Sequence, residues 1–178
     1  MTSDREQAVD GEKRSEFTSW YLREAPRTVK TLTLAVGDAH LAQEVAAEAY
    51  ARAWANWKQV SGMAAPSGWV YRVAMNLIRS RARRLRRDRH YARTTATPVV
   101  TTFSSPIDAS LWKAVADLPP RARVAIAYRY LADLPEAEIA TAMGISRGTV
   151  ASTLSAARRQ LAESLDSNSD RQGAVHDG

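Results

Sequence analysis

The stretch Thr94 to Ile107, TTATPVVTTFSSPI, carries no charge, no helical period and two prolines. Such a segment supports neither a helix nor a packed face, so it is expected to run as an extended linker. Its position divides the 178 residues into two parts, each of which has to fold around a small core of its own. On both sides the apolar residues return at three- and four-residue steps, the period of an amphipathic helix, and no strand-type alternation occurs. The predicted fold is therefore all-α: two small helical domains joined by a flexible linker. The expected divisions are a disordered tail over 1–15, a first domain over 16–92, the linker over 93–107, a second domain over 108–165 and a disordered tail over 166–178.

In the first domain, periodicity starts at Phe17 and includes Trp20, Tyr21, Val29 and Leu32, with Pro26 as a point where the helix could kink or divide. Gly37-Asp38 is a stop and turn. Ala42, Val45, Ala46, Ala49, Tyr50, Ala53, Trp54 and Trp57 then form a nearly continuous stripe. A loop from Ser61 to Ser67 precedes a third helix with Trp69, Val70, Val73, Ala74, Leu77, Ile78 and Leu85 on its apolar face. That helix runs into eight arginines between Arg79 and Arg93, opposed only by Asp88. Solvated faces normally mix signs, whereas a one-sign run concentrates a field suited to phosphates.

The second domain shows the pattern of a helix-turn-helix over Leu134 to Leu161. Pro135 and the acids Glu136 and Glu138 suit a helix start, and Gly144 can take the positive φ that ends it. Ser146 can cap a second helix that turns Val150, Leu154, Ala157 and Leu161 inward. Its outer face then offers Arg147, Ser152, Ser155 and Arg159, and such a helix can enter a major groove.

Other classes are disfavoured. The chain has no cysteine, and His40, His90 and His176 lie far apart, so neither a metal site nor a thiol nucleophile is expected. No Gly-rich phosphate loop occurs, and the protein is expected to be no enzyme and to need no cofactor. There is no signal peptide or uncharged apolar span, which predicts a cytoplasmic protein without membrane contact of its own. The net charge of +6, with 21 of 25 basic side chains being Arg, favours a polyanionic partner.

Taken in order, several blocks resemble the extracytoplasmic-function (ECF) group of the sigma-70 family of bacterial transcription initiation factors. They are Phe17 to Tyr21, Gly37-Asp38, AQEVAAEAYARAWANW from Ala42 and GWVYRVAMN from Gly68. LPPRAR from Leu118, EAEIATAMGISRGTV from Glu136 and AARRQL from Ala156 follow. The resemblance spans about residues 16 to 163. It implies that the partners are core RNA polymerase and promoter DNA, with an anti-sigma protein as a further candidate. It places Glu44, Glu48, Arg52 and Trp54 at the polymerase clamp. It assigns the minus-ten element to Asn76, Arg79, Arg83 and Arg84 with the Ser61 to Pro66 loop, and the minus-thirty-five element to Arg147, Thr149, Ser152, Ser155 and Arg159. Large aromatics at helical spacing usually pack, so Trp54, Trp57 and Trp69 are also candidates for core.

The pattern departs from the family at Ala47, where a carboxamide is common, and at Ser80, where an aspartate is common. Ala151, Thr153 and Ala156 stand where relatives carry basic residues, which implies weaker minus-thirty-five recognition. The alternative within DNA binding is a helix-turn-helix regulator that does not recruit polymerase.

Overall fold

The computed structural model describes residues 2–88 and 106–173 and builds them from helices alone: α1 Thr2–Val36, α2 Ala39–Ala55, α3 Trp57–Ser61, α4 Pro66–Asp88, α5 Pro106–Ala116, α6 Pro120–Tyr130, α7 Glu136–Met143 and α8 Arg147–Gly173. The expected linker lies outside the described residues apart from its last two positions, which open α5. Side chains 2–10, 86–109 and 167–173 lie outside the description as well.

The elements differ from expectation in four places, and Leu85, expected on the apolar face of the third helix, is exposed near the end of α4. The first helix does not begin at Phe17, and α1 passes through Pro26 without dividing. A proline removes one main-chain hydrogen bond, but Trp20 on one side of it and Thr28, Thr31 and Leu32 on the other are buried together, which holds the helix in one piece. Residues ahead of Phe17 also have partners to pack on. Trp57 Nε1 donates to the Glu16 carboxylate at 3.0 Å, and the Lys13 ammonium sits 4.7 Å from the Trp54 ring centroid. At the other end, α8 continues through Asp166 to Gly173. Finally, the stripe over 42–57 is not one helix. Asn56, at φ −115° and ψ 23°, breaks it, and the short α3 turns Trp57 and Val60 into the core.

The turns follow from local chemistry. Gly37 ends α1 at φ 75°, and the Asp38 carboxylate accepts the Leu41 N–H at 2.9 Å, capping α2. Proline occupies the first turn of α4 and of α6, where its missing N–H costs nothing.

In the first domain, α1 packs on α2, and α2 on α4. An aromatic cluster of Phe17, Trp20, Tyr21, Tyr50, Trp54 and Trp57 fills one end, with centroid separations of 4.8 to 6.1 Å. In the second domain α5, α6 and α7 all pack on α8. The two domains also lie against each other, α1 on α6 and α4 on α7. At the centre of this seam the Tyr71 and Tyr128 rings are 5.0 Å apart, and Tyr128 donates its hydroxyl to the Tyr71 carbonyl at 3.4 Å. Behind them, Tyr71 donates to Thr31 Oγ1 at 3.3 Å, and Tyr50 and Thr28 share a hydrogen bond at 2.9 Å.

Burial raises the ionisation of Tyr50, Tyr71 and Tyr128 above the ordinary value of 10.0, because the phenolate loses its hydration. The folded state then keeps protons that the unfolded chain releases, so their contribution is complete below pH 10 and declines above it. Stability measured by urea unfolding is expected to fall between pH 10 and 11 by about 1 kcal/mol for each such tyrosine, since the unfolded phenol is only partly ionised over that interval. Tyr50→Phe should remove one tyrosine's share of that slope. An unchanged slope would show that Tyr50 ionises in place.

Candidate nucleic-acid interface

The helix-turn-helix is assembled from α7, a tight turn and α8. Gly144 takes φ 64° and ψ 41°, and the Ile145 N–H returns to the Ala140 carbonyl at 3.1 Å. This closes α7 with the left-handed residue for which glycine has no steric cost. Ser146 Oγ accepts the Thr149 N–H at 3.1 Å and so caps α8. Ile139, Ala140 and Met143 on α7 face Val150, Leu154 and Ala157 on α8, all buried.

With that face inward, Arg147, Thr149, Ser152, Ser155 and Arg159 are all exposed. Their local bonds differ. Arg147 Nε lies 3.5 Å from the Glu136 carboxylate, Thr149 Oγ1 is 2.8 Å from Ser146 Oγ, and Ser152 donates to the Thr149 carbonyl at 3.1 Å. Ala151 and Ala156 are exposed beside them, whereas Thr153 is half-buried.

The residues expected at the minus-ten element lie on α4, but not on equal terms. Asn76, Arg83 and Arg84 are exposed. Arg79 is half-buried and donates through Nη2 to the Met143 carbonyl at the end of α7. The expected loop is shortened by α3 and reduces to Gly62 to Ala65. It opens into a pocket of about 260 Å³ whose lining includes Met63, Trp69 and Arg72 together with Glu138 of α7. Arg89 and Arg93 of the arginine run lie outside the described residues.

Glu44, Glu48 and Arg52 form one exposed line along α2, spaced by four residues and opposite its buried alanines. Glu48 pairs with Arg52 at 2.9 Å, and Glu44 pairs with Arg81 of α4, joining this line to the arginine helix. Trp54 does not share the open face, for it is half-buried with its ring 5.1 Å from Phe17. The packing alternative noted for it is the one its surroundings support.

Sequence reasoning missed Arg27 and Arg123. Arg27 donates to the Leu131 carbonyl, and Arg123 Nε donates to the Ala35 carbonyl at 3.3 Å, each across the seam. An arginine aimed at a distant main-chain carbonyl leaves no pattern in a single sequence.

The family model for sigma-70 region 2 matches residues 12–88, and that for sigma-70 region 4 matches residues 108–161. The chain is 34% identical over 133 residues to the ECF RNA polymerase sigma factor SigL of Mycobacterium tuberculosis, covering 70% of this chain and 75% of that protein. This chain is an ECF sigma factor. It is also 28% identical over 146 residues to the ECF RNA polymerase sigma factor SigW of Bacillus subtilis, covering 73% of this chain and 78% of the relative. Its fold resembles that of the sigma factor RpoE, solved in complex with the anti-sigma factor NepR from Bartonella quintana, with a TM-score of 0.67 at 20% identity over 85% of this chain and 97% of that one. As an ECF sigma factor it binds RNA polymerase and directs transcription initiation. The family consists of initiation factors, not enzymes. Among the described residues no helix is long and apolar enough to cross a membrane.

The cap at the head of α8 supplies a direct check of the motif. Replacing Ser146 with Ala leaves the Thr149 N–H without its side-chain acceptor and should destabilise the fold by about 1 kcal/mol. Urea unfolding measures it, and an unchanged midpoint would show that water replaces the hydroxyl at no cost.

Proposed function

We propose that three surfaces divide the work of initiation. Glu44, Glu48 and Arg52, with Trp54 supporting them from the core side, meet the polymerase clamp. Asn76, Arg79, Arg83 and Arg84 hold the minus-ten element, and Arg147, Thr149, Ser152, Ser155 and Arg159 read the minus-thirty-five element. The observation that carries this reading is the clean division of α8, where buried Val150, Leu154 and Ala157 back a face on which all five expected readers are exposed. The protein acts in the cytoplasm, where polymerase and promoter meet. An anti-sigma protein is a further proposed partner, in keeping with the family resemblance.

Charge distribution sets the balance between the two DNA surfaces. The α4 helix and the residues after it concentrate arginine, while Ala151 and Ala156 leave room on α8 without charge. The minus-thirty-five contact is the weaker of the two. Side chains that read base edges contribute roughly 1–3 kcal/mol each when bidentate, and only Arg147 and Arg159 among the five can bind in that way.

Reversing both acids, Glu44→Lys with Glu48→Lys, is expected to weaken competition for core polymerase at least tenfold while circular dichroism stays unchanged. Undiminished competition would remove α2 from the clamp. Ala151→Arg with Ala156→Arg places two cations at exposed sites and should steepen the log-log salt dependence of duplex binding by about 0.9 for each new phosphate contact. A slope identical to that of the parent would show that this face does not meet DNA.

A further inference from the structure

The head of α8 presents one long polar side chain, and a carboxylate holds it. Arg147 is the first residue of α8, and its Nε lies 3.5 Å from the Glu136 carboxylate in the first turn of α7. The helix-turn-helix itself builds this pair. Gly144 ends α7 and turns the chain, and Ser146 fixes where α8 starts, so two residues 11 apart in sequence come face to face. The acid also gains from standing at the positive end of the α7 dipole. The Arg147 side chain nevertheless remains 75% exposed, so most of its guanidinium is open to a partner.

A guanidinium carries five N–H donors in a rigid planar fork. With Nε turned to Glu136, the four N–H groups of Nη1 and Nη2 stay available, and that edge matches O6 and N7 of a guanine in the major groove. Position agrees with chemistry. A recognition helix meets base edges with its N-terminal residues, and those around Arg147 are short: Gly148, Thr149, Ala151 and Ser152. The Thr149 and Ser152 hydroxyls are already bonded within the head of α8. Arg159, the other arginine of this face, lies more than three turns further on, about 18 Å along the axis, which exceeds the groove width of about 12 Å. It is left to phosphates. Arg158 donates instead to the Tyr130 hydroxyl at 2.9 Å.

An exposed arginine without a partner samples many rotamers and is drawn to whichever phosphate is nearest. Glu136 changes both. It fixes the guanidinium before DNA arrives, which removes part of the ordering cost of binding, and it offsets a charge that would otherwise favour any sequence alike. We propose that Glu136 is a positioning residue that aims Arg147 at one guanine of the minus-thirty-five element, so that sequence preference rises as non-specific affinity falls. The role of Glu136 rests on the assignment of α8 to that element, to which it adds the base that is read and the group that orients its reader.

The full chain bound to core polymerase is offered duplex promoters with a randomised minus-thirty-five element, and the bound fraction is sequenced at one fixed salt concentration. The parent is expected to select G·C at one position, and Arg147→Ala to flatten that position by about fivefold or more while the others keep their preference. Glu136→Gln keeps the size of the side chain and removes its charge. It should weaken the same position by about two- to fivefold, the range of an exposed ion pair, while binding to scrambled elements holds or rises. In the Arg147→Ala background, Glu136→Gln should change nothing further at that position. An undiminished preference in Glu136→Gln, a further effect without Arg147, or an equal loss of binding to every sequence overturns the positioning. Selection of another base pair at the Arg147-dependent position overturns the guanine. If Arg147→Ala alters no position while Arg159→Ala weakens binding to all sequences, α8 meets DNA without Arg147 reading a base, and the proposal fails with the assignment intact. If neither variant changes binding, the assignment of α8 fails with it.

Discussion

Tyr71 and Tyr128, both buried, meet ring against ring at the seam between the two domains. Everything on either side is arranged around that pair. Tyr71 is anchored behind by Thr31, which ties α4 to α1, and Tyr128 closes the contact with a hydrogen bond to main chain. A buried hydroxyl without a partner would be costly, so two large aromatic side chains can sit here only because each finds an acceptor. The pair fixes α4 beside α7 and α1 beside α6, and so decides which arginines reach which helix ends.

That placement has a consequence for the candidate DNA surfaces. On α8, the face proposed for the minus-thirty-five element is exposed at Arg147, Thr149, Ser152, Ser155 and Arg159, whereas on α4, proposed for the minus-ten element, Arg79 is half-buried and bonded to the end of α7. The α2 line proposed to meet polymerase is also open, but Glu44 is paired with Arg81, so a partner approaching α2 meets a charge already shared with the arginine helix. Exposed pairs of this kind contribute little to stability, and Arg81 can be released at small cost.

The sigma-factor architecture itself was legible in the residues. Apolar spacing located the helices, Gly144 and Ser146 located the turn, and the uncharged proline-bearing stretch separated the domains. Where the reading went astray, the cause was tertiary. Pro26 carries the usual sign of a break, yet packing on α2 and α6 keeps α1 whole. The run from Ala42 to Trp57 keeps a helical period across Asn56, and only the structure shows that the chain turns there to send Trp57 inward. Trp54 and Trp57 look alike in sequence, but one is half-buried under Lys13 and the other is core.

By itself, then, the sequence determined the class of the protein, its two helical domains and the outward face of its recognition helix, since each follows from local period, turn chemistry and motif order. The packing of one domain on the other was decided only by tertiary structure. Around the buried tyrosine pair, the seam is bridged by arginine side chains donating to main-chain carbonyls, 64 residues apart for Arg79 and Met143, 88 for Arg123 and Ala35 and 104 for Arg27 and Leu131. Every residue type presents the same carbonyl, so the acceptor half of such a bond is invisible in the sequence, and an arginine facing a helix end cannot be told from one facing a phosphate until the fold places it.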